Sequence, residues 1–289
     1  MMVILLNKNG YKLLQSLWSY YLFLVPFLFV AVTTTNIAAA QESDQVQKIW
    51  ETQTQLKTPE SVVYEPTENV LFVSSIDGKP DEKDGQGFIS KVSPTNGTIV
   101  ELNWVTGLNA PKGMAVSDDS SKLYVSDITD LVEIDIVSGQ ITNRYTVPES
   151  TFLNDVTSDK QGNLYVSDTG TNAIYKLDKN NKSSLQIWLQ TPELNSPNGL
   201  YVDNSTNKLV VVGDSLSLVD LDNKTIGNLE MQVPARSLDG IEGDTGENLY
   251  YVTDWAAGKI YAVNSDGTDY RTLIDLRKQG TADLEFISK

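Results

Sequence analysis

The chain has 289 residues, with 38 acidic against 22 basic side chains, no histidine, no cysteine and a formal charge of −16. Without cysteine there are no disulfides, thiolate zinc sites, iron–sulfur clusters or thiol catalysis; without histidine there is no imidazole base, no Ser-His-Asp triad and little scope for a transition metal. The acidic balance argues against nucleic acid as a partner, since affinity there rests on neutralising phosphates.

In chain order, Lys8 and Lys12 precede an apolar run from Leu17 to Val32, and small residues follow as far as Ala38-Ala39-Ala40. A basic start, an apolar stretch and a small-residue boundary make a secretory leader. Residues 1–40 are therefore expected to be a signal peptide, with the mature chain starting at Gln41. An uncleaved anchor is the alternative. The run is 16 residues long and holds Pro26, short of the ~20 residues that span a bilayer. After cleavage no stable membrane span is expected, and the mature 249 residues carry 20 basic and 38 acidic side chains, a charge of −18. The expected location is periplasmic or secreted, where calcium is more plentiful than in cytosol.

The remainder repeats. One strand pattern recurs as Leu71-Phe72-Val73-Ser74-Ser75, Leu123-Tyr124-Val125-Ser126-Asp127, Leu164-Tyr165-Val166-Ser167-Asp168, Leu209-Val210-Val211-Val212-Gly213-Asp214 and Leu249-Tyr250-Tyr251-Val252-Thr253-Asp254, at intervals of 52, 41, 45 and 40 residues. A second short apolar run and a polar turn follow each, and no stretch beyond the leader has a convincing helical period. A period near 40 with about four strands per unit is the signature of a β-propeller. Residues 41–289 are thus expected to form one all-β domain, a six-bladed β-propeller at ~41.5 residues per blade.

Each inner strand should begin at the motif preceding the recurrent strand: Pro59-Glu60-Ser61-Val62, Pro111-Lys112-Gly113-Met114, Leu153-Asn154-Asp155-Val156, Pro197-Asn198-Gly199-Leu200, Leu238-Asp239-Gly240-Ile241 and Ala282-Asp283-Leu284-Glu285. The second positions, Glu60, Lys112, Asn154, Asn198, Asp239 and Asp283, are all polar and should face the central mouth. Such a ring of carboxylate and amide oxygens suits a hard cation. The same residues also serve as solvated turn formers at loop–strand junctions, and position alone leaves both readings open.

The phrases around Glu60, Asn154, Asn198 and Asp239 resemble the SMP-30/gluconolactonase/luciferin-regenerating-enzyme family, from about Val46 to Lys289. The resemblance implies a six-bladed propeller with a divalent cation, calcium or another, at the bottom of the central pocket, and a hydrolase that opens lactones or related esters. It further implies that Glu60, Asn198 and Asp239 are metal ligands and that Asn154 touches the metal, its water or the substrate. Asp239 is the implied general base, with Asp283 an unmatched alternative. Lys112 departs from a metal ligand; it is expected to bind a substrate carboxylate or, preferably, to pair with Glu60 or Asp283. A non-enzymatic propeller that binds a small molecule, sugar or protein is the rival function.

The Asp residues ending the recurrent strands, Asp127, Asp168, Asp214 and Asp254, read as turn caps. Trp255 falls on a loop expected at the pocket face. The acidic, Gly-rich segment Ile76–Gly87 is an insertion on that face and lacks the ligand spacing of an EF-hand loop. Val46-Gln47-Lys48-Ile49-Trp50 resembles a closing strand, and the two strands that would complete the sixth blade after Leu284–Ile287 are expected to be missing. Intact-mass analysis of the exported protein is expected to place its N-terminus at Gln41; a chain still carrying the apolar run would mark that run as an anchor.

Overall fold

The computed structural model describes residues 5–7, 50–52, 55–229, 237–244, 246–276 and 281–287. The expected leader therefore lies outside the described residues apart from β1 (Leu5–Asn7), and so does the expected closing strand apart from Trp50. Five four-stranded antiparallel sheets follow, each a meander in sequence order. The first holds β2 (Pro59–Glu65), β3 (Val70–Ser75), β4 (Gly87–Val92) and β5 (Ile99–Leu108), and the second β6 (Pro111–Val116), β7 (Lys122–Asp127), β8 (Asp130–Asp135) and β9 (Ile141–Thr146). The third holds β10 (Leu153–Ser158), β11 (Leu164–Asp168), β12 (Ala173–Asp178) and β13 (Asn181–Gln190), and the fourth β14 (Leu200–Asp203), β15 (Lys208–Val212), β16 (Leu216–Asp220) and β17 (Ile226–Leu229). The fifth holds β18 (Leu238–Asp244), β19 (Leu249–Asp254), β20 (Lys259–Asn264) and β21 (Tyr270–Asp275). A last strand, β22 (Glu285–Ile287), pairs in parallel with β1.

The sheets are propeller blades, and the sequence pattern follows from their stacking. All six residues of β3 are buried, as are all five of β11. These strands read as apolar runs because neighbouring blades cover both of their faces. The outermost strands expose most side chains, as β9 does. Phe72, Ile89 and Leu108 of the first blade pack against Leu123, Val125 and Ile134 of the second. Similar cores join the second blade to the third, the third to the fourth and the fourth to the fifth. Each fully buried Leu, Ile or Phe contributes roughly 1.5–3 kcal/mol. The last hairpin of a blade turns through a left-handed residue, Gly97, Gly139 or Gly267 (φ 70°, 67° and 75°), where the absence of a Cβ removes the steric penalty.

The inner strands β2, β6, β10, β14, β18 and β22 touch in turn, and β22 touches β2. The ring thus has six places, but the described residues build five complete blades, not the six expected. Six motifs correctly predict six inner strands. A blade also needs three outer strands, and among the described residues the sixth place holds β22 with β1 at its side. The main-chain N–H of Asp283 donates to Glu60 O (3.3 Å) and the Ser61 hydroxyl to Asp283 Oδ2 (2.5 Å), which ties the last place to the first. Among the described residues no helix is long and apolar enough to cross a membrane.

Three of the four strand-end aspartates act as caps. Asp168, fully buried, accepts the main-chain N–H groups of Thr151, Phe152, Gly170 and Thr171 at 3.0–3.2 Å. Asp127 accepts from Asn109 and Ala110 and pairs with Arg144, and Asp254 accepts from Ala257. Asp214 differs: β15 ends at Val212, which puts Asp214 one residue past the equivalent position, where it is exposed and its own N–H donates to Asn195 O. Removing Asp168 leaves several amides without their charged acceptor, at a cost of about 3 kcal/mol or more. Asp168→Ala is therefore expected to lower Tm by roughly 6–12 °C in thermal unfolding. By contrast, Asp214→Ala should stay within ~0.5 kcal/mol of the parent.

Candidate functional site

The inner strands place their second residues on the axis by a shared irregularity. Pairing of β2 with β3 runs from Pro59–Ser75 directly to Val62–Val73, so the inner strand advances three residues while its partner advances two. The same slip separates Pro111 from Met114 in β6, Leu153 from Val156 in β10 and Leu238 from Ile241 in β18. One extra residue in a strand is a β-bulge, which re-aims side chains. In the fourth blade Asn198 and Gly199 precede β14 and are held by Val212: Asn198 N–H donates to its carbonyl (2.7 Å), and its N–H donates to Gly199 O (2.9 Å).

A recurrent hydroxyl locks three of the four bulges. Ser74, Ser167 and Thr253, from the second strands of their blades, accept the N–H groups of Ser61 (2.9 Å), Asp155 (2.8 Å) and Gly240 (2.7 Å). Ser167 Oγ in turn donates to Asn198 O (2.6 Å) in the next blade, and Ser126 Oγ donates to Asn154 O. The serine of the Leu-Tyr-Val-Ser-Asp repeat is thus the clip between blades.

The bulges, and in the fourth blade the bonds to Val212, bring Glu60, Asn154, Asn198 and Asp239 to the wall of one cavity of about 10 Å³, shared with Ser61, Gly113, Asp155, Gly240 and Asp283. That is close to the space of one water-sized occupant. Asn154 Nδ2 donates to Thr169 Oγ1 (3.1 Å), whose hydroxyl donates to Pro197 O (2.7 Å). With its nitrogen so engaged, Asn154 has its amide oxygen left for the cavity. The Asn198 side chain lies close enough to the Asp239 carboxylate to oppose the rise in its pKa. Thr169 was not among the expected site residues, and its signal is a hydroxyl directly after the Asp168 strand end.

Two expectations shift. Asp283 belongs at the third motif position. Its Oδ1 accepts the N–H of Leu284 (2.8 Å) just as Asp155 Oδ1 accepts that of Val156 (2.7 Å), and it packs on Gly240 as Asp155 packs on Gly113. Buried Ala282 holds the second place. The sixth motif has neither Pro nor Gly to anchor its frame, so the sequence allowed either register. Lys112 also differs. Its side chain, 1% exposed, donates to Pro80 O (2.9 Å) and Ala110 O (3.0 Å) and lies 4.3 Å from the centre of the Phe152 ring. Among the described residues no ion pair joins it to Glu60 or Asp283. Two carbonyls and an aromatic face outcompete the carboxylates for the ammonium.

Burial pushes the Glu60 carboxyl up to about 7, against the pull of Lys112 and with the help of Asp283. Burial raises Asp283 to about 6, opposed by hydrogen bonds from Ser61, Leu284 and Val62. Asp239 lies well above the usual carboxylate range through burial, then the charges of Glu60 and Asp283. Asp155 rises for the same reasons, although Leu200 N–H donates to it (2.7 Å). These side chains keep part of their surface open to the narrow channel, so enclosure by protein and like charge act together. A larger cavity of about 230 Å³ lies further along the axis, lined by Tyr64, Val116, Ser158, Glu242 and Glu285 among others. Trp255 follows the end of β19 and is 57% exposed.

The sequence profile of the SMP-30/gluconolactonase/LRE-like region matches residues 58–277. The chain belongs to this family. It is therefore a lactonase-like β-propeller. No curated protein matches the sequence. Among solved structures, the chain is similar to one from a nidogen/laminin complex, at 16% identity and a TM-score of 0.66 over 79% of this chain and 84% of that one. It is also similar to the selenomethionine-substituted virginiamycin B lyase from Staphylococcus aureus, at 14% identity and a TM-score of 0.59 over 78% and 73%. At these identities the likeness is one of fold.

The donor set fits the hard divalent cation that the family implies. It consists of oxygens only, around a space for one small occupant, with two carboxylates lacking a paired cation. Among the described residues no three acidic side chains are arranged to hold a metal by themselves. The amide oxygens of Asn154 and Asn198 are therefore needed to complete a set. Further down the axis, burial raises Glu242 well above the usual range, with Glu285 and then Asp283 adding to the rise. A folded state that holds a proton more tightly than the unfolded chain loses stability as pH rises from the ordinary Glu value toward the folded one. The Tm of the parent should accordingly fall as pH rises above ~4.5. Glu242→Gln should flatten that fall and raise Tm at neutral pH; identical pH profiles for the two proteins would contradict this assignment.

Proposed function

We propose that this protein is an exported, calcium-dependent hydrolase that opens a lactone or related ester in the central mouth. The observation that carries the reading is the convergence of Glu60, Asn154, Asn198 and Asp239 on one cavity, in a chain with no histidine or cysteine. Family membership supports the reaction class. Glu60, Asn198 and Asp239 would hold the cation, with Asn154 facing the cation or substrate. When bound, it supplies a Lewis acid for the substrate carbonyl.

The proton work falls to Asp239. Its carboxylate takes a proton from the attacking water as the new carbon–oxygen bond forms at the lactone carbonyl. The ring carbon–oxygen bond then breaks, and the departing oxygen recovers that proton to give a hydroxy acid. The neighbouring Asn198 side chain favours the charged form of that carboxylate. Lys112, with two carbonyl acceptors and the Phe152 face, is not free to act as base.

Asp239→Asn keeps an oxygen for the cation and loses the base. Turnover of a lactone panel is expected to fall ~10²–10⁴-fold, with calcium-dependent thermal stabilisation partly retained. EDTA should silence the parent, and calcium should restore it. Undiminished turnover in the variant would remove Asp239 as the base. A calcium-loaded parent inert toward every lactone would instead support a propeller that binds its ligand without chemistry.

A further inference from the structure

The segment of residues 76–86 joins β3 to β4 at the mouth. The corresponding connections in the other four blades span only 128–129, 169–172, 213–215 and 255–258. This long segment is exposed from Gly78 to Lys83, yet its position is fixed at three points. At its base, Ile76 N–H donates to Thr58 O (3.2 Å). At its far side, Lys83 Nζ donates to Thr129 Oγ1 (2.6 Å), on the corresponding turn of the second blade. Between them, Lys112 Nζ reaches Pro80 O from within the ring. The segment thus crosses from the first blade to the second at the mouth.

Lys112 is placed for this task. Its position in the second motif slot puts its backbone on the axis beside Glu60, but its ammonium leaves the ring for the crossing segment. The Ala110 carbonyl and the Phe152 ring, from the second and third blades, hold it there. The charges of Glu60 in the ring, Asp127 at the end of β7 and Asp81 on the segment attract it.

We propose that Lys112 is the latch of a lid: by fixing residues 76–86 through the Pro80 carbonyl, it positions that segment across the mouth and sets how substrate is retained there. Lys112 acts through the segment and does not touch substrate. The kinetic part of this role rests on the reaction proposed above; the structural part does not.

The test is hydrogen–deuterium exchange on the full-length exported chain, joined to lactone kinetics and calcium titration. Lys112→Met keeps the apolar stem and removes the donors. Exchange in residues 77–86 is expected to rise about tenfold or more, the factor carried by one charge-assisted hydrogen bond, with the other blades unchanged. Lys112→Arg should restore protection. KM should rise about tenfold in the Met variant while kcat moves less than about threefold, and calcium affinity should hold. Unchanged exchange in residues 77–86 would overturn the latch, and loosening spread over all five blades would make Lys112 a general structural residue. Should Lys112→Met fail to fold, the exposed Lys83→Ala takes its place: faster exchange confined to the segment supports the lid, and unchanged exchange overturns it. Inert enzyme with a segment loosened only in the variant would count against the proposed reaction and leave the latch standing.

Discussion

Much at the centre of this molecule depends on one extra residue at the start of four of the inner strands, β2, β6, β10 and β18. A regular strand alternates its side chains between two faces, and in a propeller both faces meet neighbouring blades. The bulge between Pro59 and Val62, repeated in β6, β10 and β18, breaks that alternation and turns the second residue to the axis. Val62, Met114, Val156 and Ile241 then return to the apolar layers. The hydroxyls of Ser74, Ser167 and Thr253 satisfy main-chain N–H groups that the bulges remove from the ladder. Function and packing are thereby separated residue by residue within four positions of sequence.

The consequence is electrostatic. Glu60, Asp155, Asp239, Asp283 and Glu242 are brought into one narrow channel, and each has its carboxyl raised. Lys112, the cation in the ring, spends its donors on Pro80 and Ala110. Concentrated negative charge without a matching cation disfavours the folded state. The carboxylates differ in how they are supported. Asp155 and Asp283 accept main-chain N–H groups and clip blade to blade, so they belong to the scaffold. Among the described residues no main-chain N–H donates to Glu60 or Asp239, which stand with the amides of Asn154 and Asn198 at the cavity.

Much of this was legible in the sequence. The recurrence of Leu-Tyr-Val-Ser-Asp near every 40 residues gave the propeller, and the motif before each repeat gave the inner strands. Capping by Asp127, Asp168 and Asp254 followed from their place as the last residues of their strands; β15 ends at Val212, so Gly213 takes the equivalent place and Asp214 falls one residue beyond it, in the turn. The period also suggested a sixth blade where the described residues hold β22 with β1. The repeat counts inner strands, and strand pairing beyond them is a separate, non-local matter.

The sequence by itself determined the residue types at the axis and the strand-and-turn grammar that carries them, because both are local: period, bulge position and turn chemistry lie within a few residues. The tertiary structure decided which polar atoms meet. The register of Asp283, the turning of Lys112 from the carboxylates to Pro80, and the support of Asn154 by Thr169 each depend on groups 15 or more residues apart. Such choices turn on competition between acceptors that only the closed ring brings within reach, and no spacing along the chain encodes which acceptor is nearer.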